Sequence, residues 1–218
     1  ILIDPEAVIL PVDAHGRVEL KALEQALAAF EGPALVSVML ANNETGVLEP
    51  VREVAAIAHR HDALVHCDAV QGAGKIPVDI AELGVDMLSL SAHKLGGPQG
   101  IGALVLRRDL PVDAQIVGGG QELGRRSGTE NVAGAVGFGV AADEALRGLD
   151  AMAALADLRD DIERRTGAIA PKRRVYGAGV PRLPNTSCLS MPGVKAETQV
   201  VLFDLDGIAI SAGSACSS

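Results

Sequence analysis

Met87-Leu88-Ser89-Leu90-Ser91-Ala92-His93-Lys94-Leu95-Gly96-Gly97-Pro98-Gln99-Gly100-Ile101-Gly102 is an apolar run that ends in Ser-Ala-His-Lys and drops into a glycine-rich turn. The pattern is that of a strand delivering a lysine to the lip of a sheet, where a phosphate or a carbonyl carbon can reach the amine. Taken alone, a lysine after a strand is an ordinary solvated charge. A second apolar run changes that reading. Leu64-Val65-His66-Cys67-Asp68-Ala69-Val70-Gln71 also carries a charged residue at its end, with Gln71 just beyond. Parallel strands of an open α/β sheet bring their carboxyl ends to one edge, so Asp68 and Lys94 are expected to face the same crevice.

That pair matches what pyridoxal phosphate asks of a protein. The cofactor needs a lysine for covalent attachment and a carboxylate that keeps the pyridine nitrogen protonated, so that the ring withdraws electrons.

Composition narrows the classes. With 48% hydrophobic residues and 25 glycines in 218 residues, the chain can bury a full core and is expected to be globular and soluble. Its formal charge is −9, and no basic run exceeds Lys172-Arg173-Arg174, which argues against nucleic acid as a partner. One Tyr and no Trp leave little to stack on bases. No apolar stretch approaches the roughly 20 residues needed to cross a bilayer and no basic-then-apolar leader opens the chain, so a cytoplasmic protein without membrane association is expected. The chain starts at Ile1 rather than Met and stops two residues after Cys216, and it reads as a piece of a longer polypeptide.

Along the chain, residues 7–11 form a short apolar segment followed by the turn Asp13-Ala14-His15-Gly16. Leu23, Leu27 and Phe30 at helical spacing predict a helix over 21–30. Residues 33–40 form a continuous apolar run, expected to be a strand covered on both faces. It ends in Asn42-Asn43-Glu44-Thr45-Gly46, where adjacent asparagines serve either a tight turn or a ligand, since the amide offers both donor and acceptor. A helix is expected from Glu49, with Pro50 near its start and Val51, Val54, Ile57 and Ala58 inward. A helical turn near 79–83 and a strand over 101–107 complete an alternation of strands and helices. This predicts a three-layer α/β/α domain with a mostly parallel sheet.

Gly118-Gly119-Gly120-Gln121-Glu122-Leu123-Gly124-Arg125-Arg126-Ser127-Gly128-Thr129-Glu130-Asn131 lies just ahead of a long periodic helix. Glycines alone suit any loop, whereas Arg-Arg-Ser-Gly-Thr before a helix amino end favours contact with a phosphate. The helix is expected to run to about residue 166 with a break near Gly148. Strands at 174–176, 186–191 and 207–210 and a helix over 194–206 read as a smaller α+β unit, giving a large domain over 1–167 and the start of a second over 168–218. Cys67, Cys188 and Cys216 show no Cys-x-x-Cys spacing and no paired framework, which fits a reducing compartment. Cys67 and Cys188 sit in apolar runs and are expected to be buried packing residues. Cys216 lies in Ser211-Ala212-Gly213-Ser214-Ala215-Cys216-Ser217-Ser218, with nothing to bury it, where a thiolate can reach a substrate.

Five collinear motifs resemble the cysteine desulfurases of the class V aminotransferase group. They are Asn42-Asn43-Glu44-x-Gly46, His66-x-Asp68-Ala-x-Gln71, Ser91-Ala92-His93-Lys94 with Gly-Pro-x-Gly, Gly118-Gly-Gly-x-Glu122 through Arg126-Ser-Gly-Thr129, and Ser214-Ala-Cys216. The resemblance implies a fold-type-I pyridoxal 5'-phosphate enzyme, a homodimer that takes sulfur from L-cysteine. Alanine is left, with a persulfide on the loop cysteine, and the sulfur passes to an iron–sulfur scaffold, to tRNA thiolation or to another acceptor protein. By the same resemblance, Lys94 matches the covalent attachment site, Asp68 the partner of the pyridine nitrogen, and Gln71 the residue bonded to the ring's phenolic oxygen. Asn43 matches a contact of ring and substrate. Ser91 and His93 match phosphate ligands, with His93 also counted as catalytic. Thr129 matches a phosphate ligand donated across the dimer. Cys216 matches the persulfide-forming nucleophile and is also a candidate transient iron–sulfur ligand; no resident metal site is expected. Ala212 stands where the family's loop pattern has its first glycine. The family's glycine/threonine phosphate turn, its ring-stacking histidine and its carboxylate-clamping arginine have no counterpart in these 218 residues. Two other readings keep Lys94, Asp68 and Gln71: another class V enzyme, either an aminotransferase or a selenocysteine or β-carbon lyase, and an inactive α/β fragment.

Overall fold

Three of the apolar runs become neighbouring parallel strands, β1 (Leu35–Met39), β2 (Leu64–Asp68) and β3 (Met87–Ser91); β4 (Gly102–Leu106) returns antiparallel beside β3. The computed structural model describes residues 7–108 and 110–213. Strand order follows chain order, β1-β2-β3-β4. Right-handed crossovers that always step the same way must lie on one face, so α2 (Val51–Arg60) and α3 (Ile80–Leu83), the two connections, share a side of the sheet. Helix α1 (Leu20–Ala29) packs beside α2 on that side.

The core follows from the periodicities. Leu23 of α1, Val51, Val54, Ile57 and Ala58 of α2, and Val36, Val65, Cys67 and Leu88 of the strands form one buried cluster. Alternate strand positions face away from it. Leu35 is 58% exposed and Leu104 50% exposed, so the run at 33–40 is covered on one face and not on two among the described residues. The cause is the sequential strand order, which leaves the second face without a crossover helix. Asp79 starts α3 by accepting the amides of Ala81 and Glu82 at 2.7 and 3.0 Å, and Gly84 ends it at φ +70°.

Asp86, fully buried just before β3, fastens the amino ends of the strands. Its Oδ2 accepts the Val65 amide at 2.8 Å and faces His59 Nε2 at 2.9 Å. Its Oδ1 lies 2.8 Å from Arg107 Nη1, an ion pair whose angle falls short of a hydrogen bond. Burial pushes the carboxyl's pKa up, but the His59 bond, the Val65 amide and the charges of His59 and Arg107 outweigh it and hold it below the usual range. A carboxyl lower in the folded than in the unfolded chain adds stability above the unfolded value of about 4, and that stability is lost as pH falls through the depressed folded value. Replacing the group should therefore be costly at neutral pH. Asp86→Ala is expected to lose about 2–4 kcal/mol in urea unfolding at pH 7 and to flatten the acid limb of stability below about pH 4. An unchanged acid limb would show that Asp86 is not the group being titrated.

Beyond the sheet, α4 (Val132–Arg147), α5 (Leu149–Ala153) and α6 (Leu155–Ile169) replace the single helix with one break, since the chain pauses at Ala154 as well as Gly148. β5 (Arg174–Val175) pairs antiparallel with β6 (Leu189–Ser190), and α7 (Ala196–Leu205) follows. The strand expected at 207–210 does not form among the described residues, where it has no ladder partner.

Between β5 and β6 the chain folds back onto the loop after β1. Leu48 N donates to Pro181 O at 2.9 Å, Leu183 N donates to Gly46 O at 2.7 Å, and Val47 pairs with Arg182. Val47 and Leu183 are almost fully buried there. Arg182 binds Glu163 of α6 through both nitrogens, at 2.7 and 2.9 Å, and Ser187 Oγ adds a bond of 2.7 Å to the same carboxylate. One clasp thus joins α6, the 181–187 segment and the loop that carries Asn43.

Candidate active site

Because β1, β2 and β3 run parallel, their carboxyl ends bring Asn43, Asp68, Gln71, Ser91, His93 and Lys94 to one edge of the sheet. Asp68 closes β2 opposite Ser89 of β3. Its Oδ1 accepts the Val70 amide at 3.0 Å, while Oδ2 has no hydrogen-bond partner among the described residues. Lys94 stands in the 3-10 turn Ala92–Leu95 immediately after β3, and its amine makes no hydrogen bond or ion pair among the described residues. Ser91 Oγ and His93 Nδ1 lie 2.8 Å apart, which leaves His93 Nε2 for another partner.

The two asparagines divide their tasks. Asn42 Oδ1 accepts the amides of Glu44 and Thr45 at 3.0 and 2.9 Å and the Thr45 hydroxyl at 3.1 Å, so Asn42 builds the turn. The Asn43 side chain, half-buried, enters no hydrogen bond among the described residues.

The turn after β2 is held from three sides. A Cβ on Gly72 would sit 2.5 Å from Leu40 Cδ2, and one on Gly74 (φ +73°) would sit 2.7 Å from Leu95 Cδ2 and 3.1 Å from Ala145 Cβ of α4. The positive φ and the approach to Ala145 favour glycine at position 74, and a side chain at position 72 would have to displace the end of Leu40. Within the turn, Lys75 Nζ donates to Gln71 Oε1 at 2.9 Å. Burial, and then the charge of nearby Lys94, holds the Lys75 ammonium below the usual lysine range. On the outer sheet face, His66 bridges three strands, with Nδ1 2.9 Å from Ser37 Oγ and Nε2 3.2 Å from Ser89 Oγ.

A sequence profile of the family described as Aminotransferase class-V matches residues 4–218. The chain belongs to this family. It is 48% identical over 209 residues to a cysteine desulfurase of Cereibacter sphaeroides, covering 96% of this chain and 53% of that protein. It is 43% identical to the cysteine desulfurase NifS of Azotobacter vinelandii, with 96% and 52% covered. Among solved structures, a NifS-like protein from Rickettsia africae matches with TM-score 0.87 at 37% identity, over 94% of this chain and 57% of that one. The chain thus spans about half the length of the curated relatives it matches.

A member of the class-V aminotransferase family, the chain presents a set of polar groups that fits pyridoxal phosphate. The sheet edge supplies an uncommitted primary amine at Lys94, a carboxylate oxygen at Asp68, amides at Asn43 and Gln71, and an imidazole nitrogen at His93. Thr129 is exposed, and no hydrogen bond among the described residues ties it to Ser91 or His93. Around it, Ser127 is committed to the loop through a 2.6 Å bond to Gly119 O, and Asn131 Oδ1 takes the Gly134 amide at 3.0 Å, so one donor of the α4 amino end is already used.

The cysteines separate as well. Cys67 is fully buried on the core face of β2, where burial and then the charge of Asp68 push its thiol up to about 12. Cys188 is half-buried rather than fully buried as expected, because it stands beside the two-residue strand β6, and burial also raises its thiol pKa. Cys216 lies outside the described residues. No group of three metal-ligating side chains occurs among the described residues, and none of their helices is long and apolar enough to cross a membrane. Two clefts of the described residues, lined by Arg17, Pro50, Glu53 and neighbours, hold none of the predicted site residues.

Sequence reading passed over two features of this region. Lys75 carries a partial signal, four residues after Gln71 in a glycine-punctuated turn. Asp86 is a charged residue just before an apolar strand, a position that reads as solvent until tertiary packing buries it.

Proposed function

We propose that the protein is a pyridoxal-phosphate-dependent cysteine desulfurase of cytoplasmic location, acting on L-cysteine as a homodimer and passing sulfur to an iron–sulfur scaffold or another acceptor protein. The observation that supports it most is the convergence at one sheet edge of the Lys94 amine, Asp68 Oδ2 and the Asn43 amide, none of them hydrogen-bonded among the described residues, in a chain 42–48% identical to cysteine desulfurases over most of its length. When bound, the cofactor supplies an electron sink for the substrate's α-carbon.

The chain's own residues divide the remaining work. Lys94 would hold the cofactor through its amine and would move the proton at the substrate's α-carbon. Asp68 holds the ring nitrogen in its protonated form. Gln71 and Asn43 orient ring and substrate, Ser91, His93 and Thr129 bind the phosphate, and His93 also serves in proton transfer. Cys216 Sγ attacks the substrate sulfur: an S–S bond forms as the substrate's C–S bond breaks, and the electron pair of that bond stays with the carbon skeleton that leaves as alanine.

With L-cysteine and a thiol reductant, the full-length protein should release alanine and sulfide in equal amounts. Amino-group transfer to a keto acid, with no sulfide, would replace this reading with that of an aminotransferase.

A further inference from the structure

We infer that Lys75 is a positioning residue that locks the Gln71 amide so that its donor nitrogen, Nε2, is offered to the cofactor's phenolic ring oxygen. The inference rests on the cofactor reading above. An ammonium has only donors, so Lys75 Nζ at 2.9 Å can bond only the oxygen of the Gln71 amide. The amide is then left with two N–H groups, the right chemistry for an anionic oxygen and the wrong one for a donor. A free amide has no such preference, because its two ends are nearly equal in shape.

The setting is rigid. The turn backbone is packed against Leu40, Leu95 and Ala145 at Gly72 and Gly74, which fixes where the Lys75 and Gln71 side chains start. The charge balance favours an anionic guest. Lys75 is half-buried, forms no ion pair among the described residues, and lies near a second cation, Lys94. Two nearby ammonium groups repel, and an oxygen anion held by Gln71 relieves that repulsion.

A donor on the ring oxygen drains its negative charge, so the linkage nitrogen on Lys94 holds its proton less tightly. Losing the donor should raise the pH midpoint of the cofactor's visible band. In the cofactor-loaded, full-length protein, Lys75→Met and Gln71→Leu should each raise that midpoint by about one pH unit. Lys75→Arg, still a donor, should stay near the parent value. In the double variant, Lys75→Met should add nothing to Gln71→Leu, because it acts through that residue. An unchanged midpoint in Lys75→Met, or shifts that add in the double variant, overturn the role of Lys75. Absence of a lysine-dependent band in the parent overturns the cofactor reading itself, and the role of Lys75 with it.

Discussion

Lys94→Ala is expected to abolish the cofactor's visible band and to lower turnover of L-cysteine by about 10⁴-fold or more, equivalent to over about 5 kcal/mol of transition-state stabilisation. The magnitude follows from the two tasks given to one amine, covalent anchorage and proton transfer at the α-carbon, neither of which alanine performs. Geometry makes the site hard to replace. Lys94 sits in a 3-10 turn fixed by β3 on one side and by Leu95 against the Gly74 turn on the other, so no other lysine can be expected to take its place. Lys75 is nearby, but its amine is committed to Gln71. Lys21→Ala, on the exposed side of α1, is the matched control and should leave band and turnover at parent levels. Absorbance between roughly neutral and alkaline pH and alanine release measure both quantities. A full band in Lys94→Ala would mean that the cofactor is attached elsewhere.

Cys216→Ala should keep that band and lose the persulfide, with desulfuration falling by about 10³-fold or more. The other cysteines are poor substitutes on physical grounds. Cys67 is sealed in the core with a thiol pushed up to about 12, and in that state it is neither reachable nor ionised near neutral pH. The thiol of Cys188 is also raised, by burial and then by Glu44. Cys188→Ala should accordingly retain the persulfide. Mass spectrometry of protein treated with L-cysteine reads the extra sulfur directly and places it by peptide. Persulfide on Cys188, or undiminished sulfide release from Cys216→Ala, would move the nucleophile away from residue 216.

Much of the scaffold is local in origin and therefore visible in the chain. The helical spacing of Val51, Val54, Ile57 and Ala58 marks the face of α2 that is buried, because amphipathic period and packing face are the same property. The apolar runs ending at Asp68 and Ser91 mark β2 and β3 for a similar reason, and parallel pairing then brings Asn43, Gln71 and Lys94 to one edge without further information. The strand expected at 207–210 illustrates the limit, since apolar character alone does not supply a ladder partner.

Residue types and their order determined the α/β class, the placing of Asp68 and Lys94 at one sheet edge, and the five motifs shared with the class-V aminotransferase family. Only the tertiary structure decided which asparagine builds the turn and which is left for a ligand, that the sheet is covered on one face among the described residues, that Asp86 is buried between Val65, His59 and Arg107, and that Lys75 holds Gln71. The division has one physical cause. Periodicity and turn chemistry are set by neighbours a few residues apart, whereas the partner of a polar group is chosen by whichever distant segments packing brings within about 3 Å.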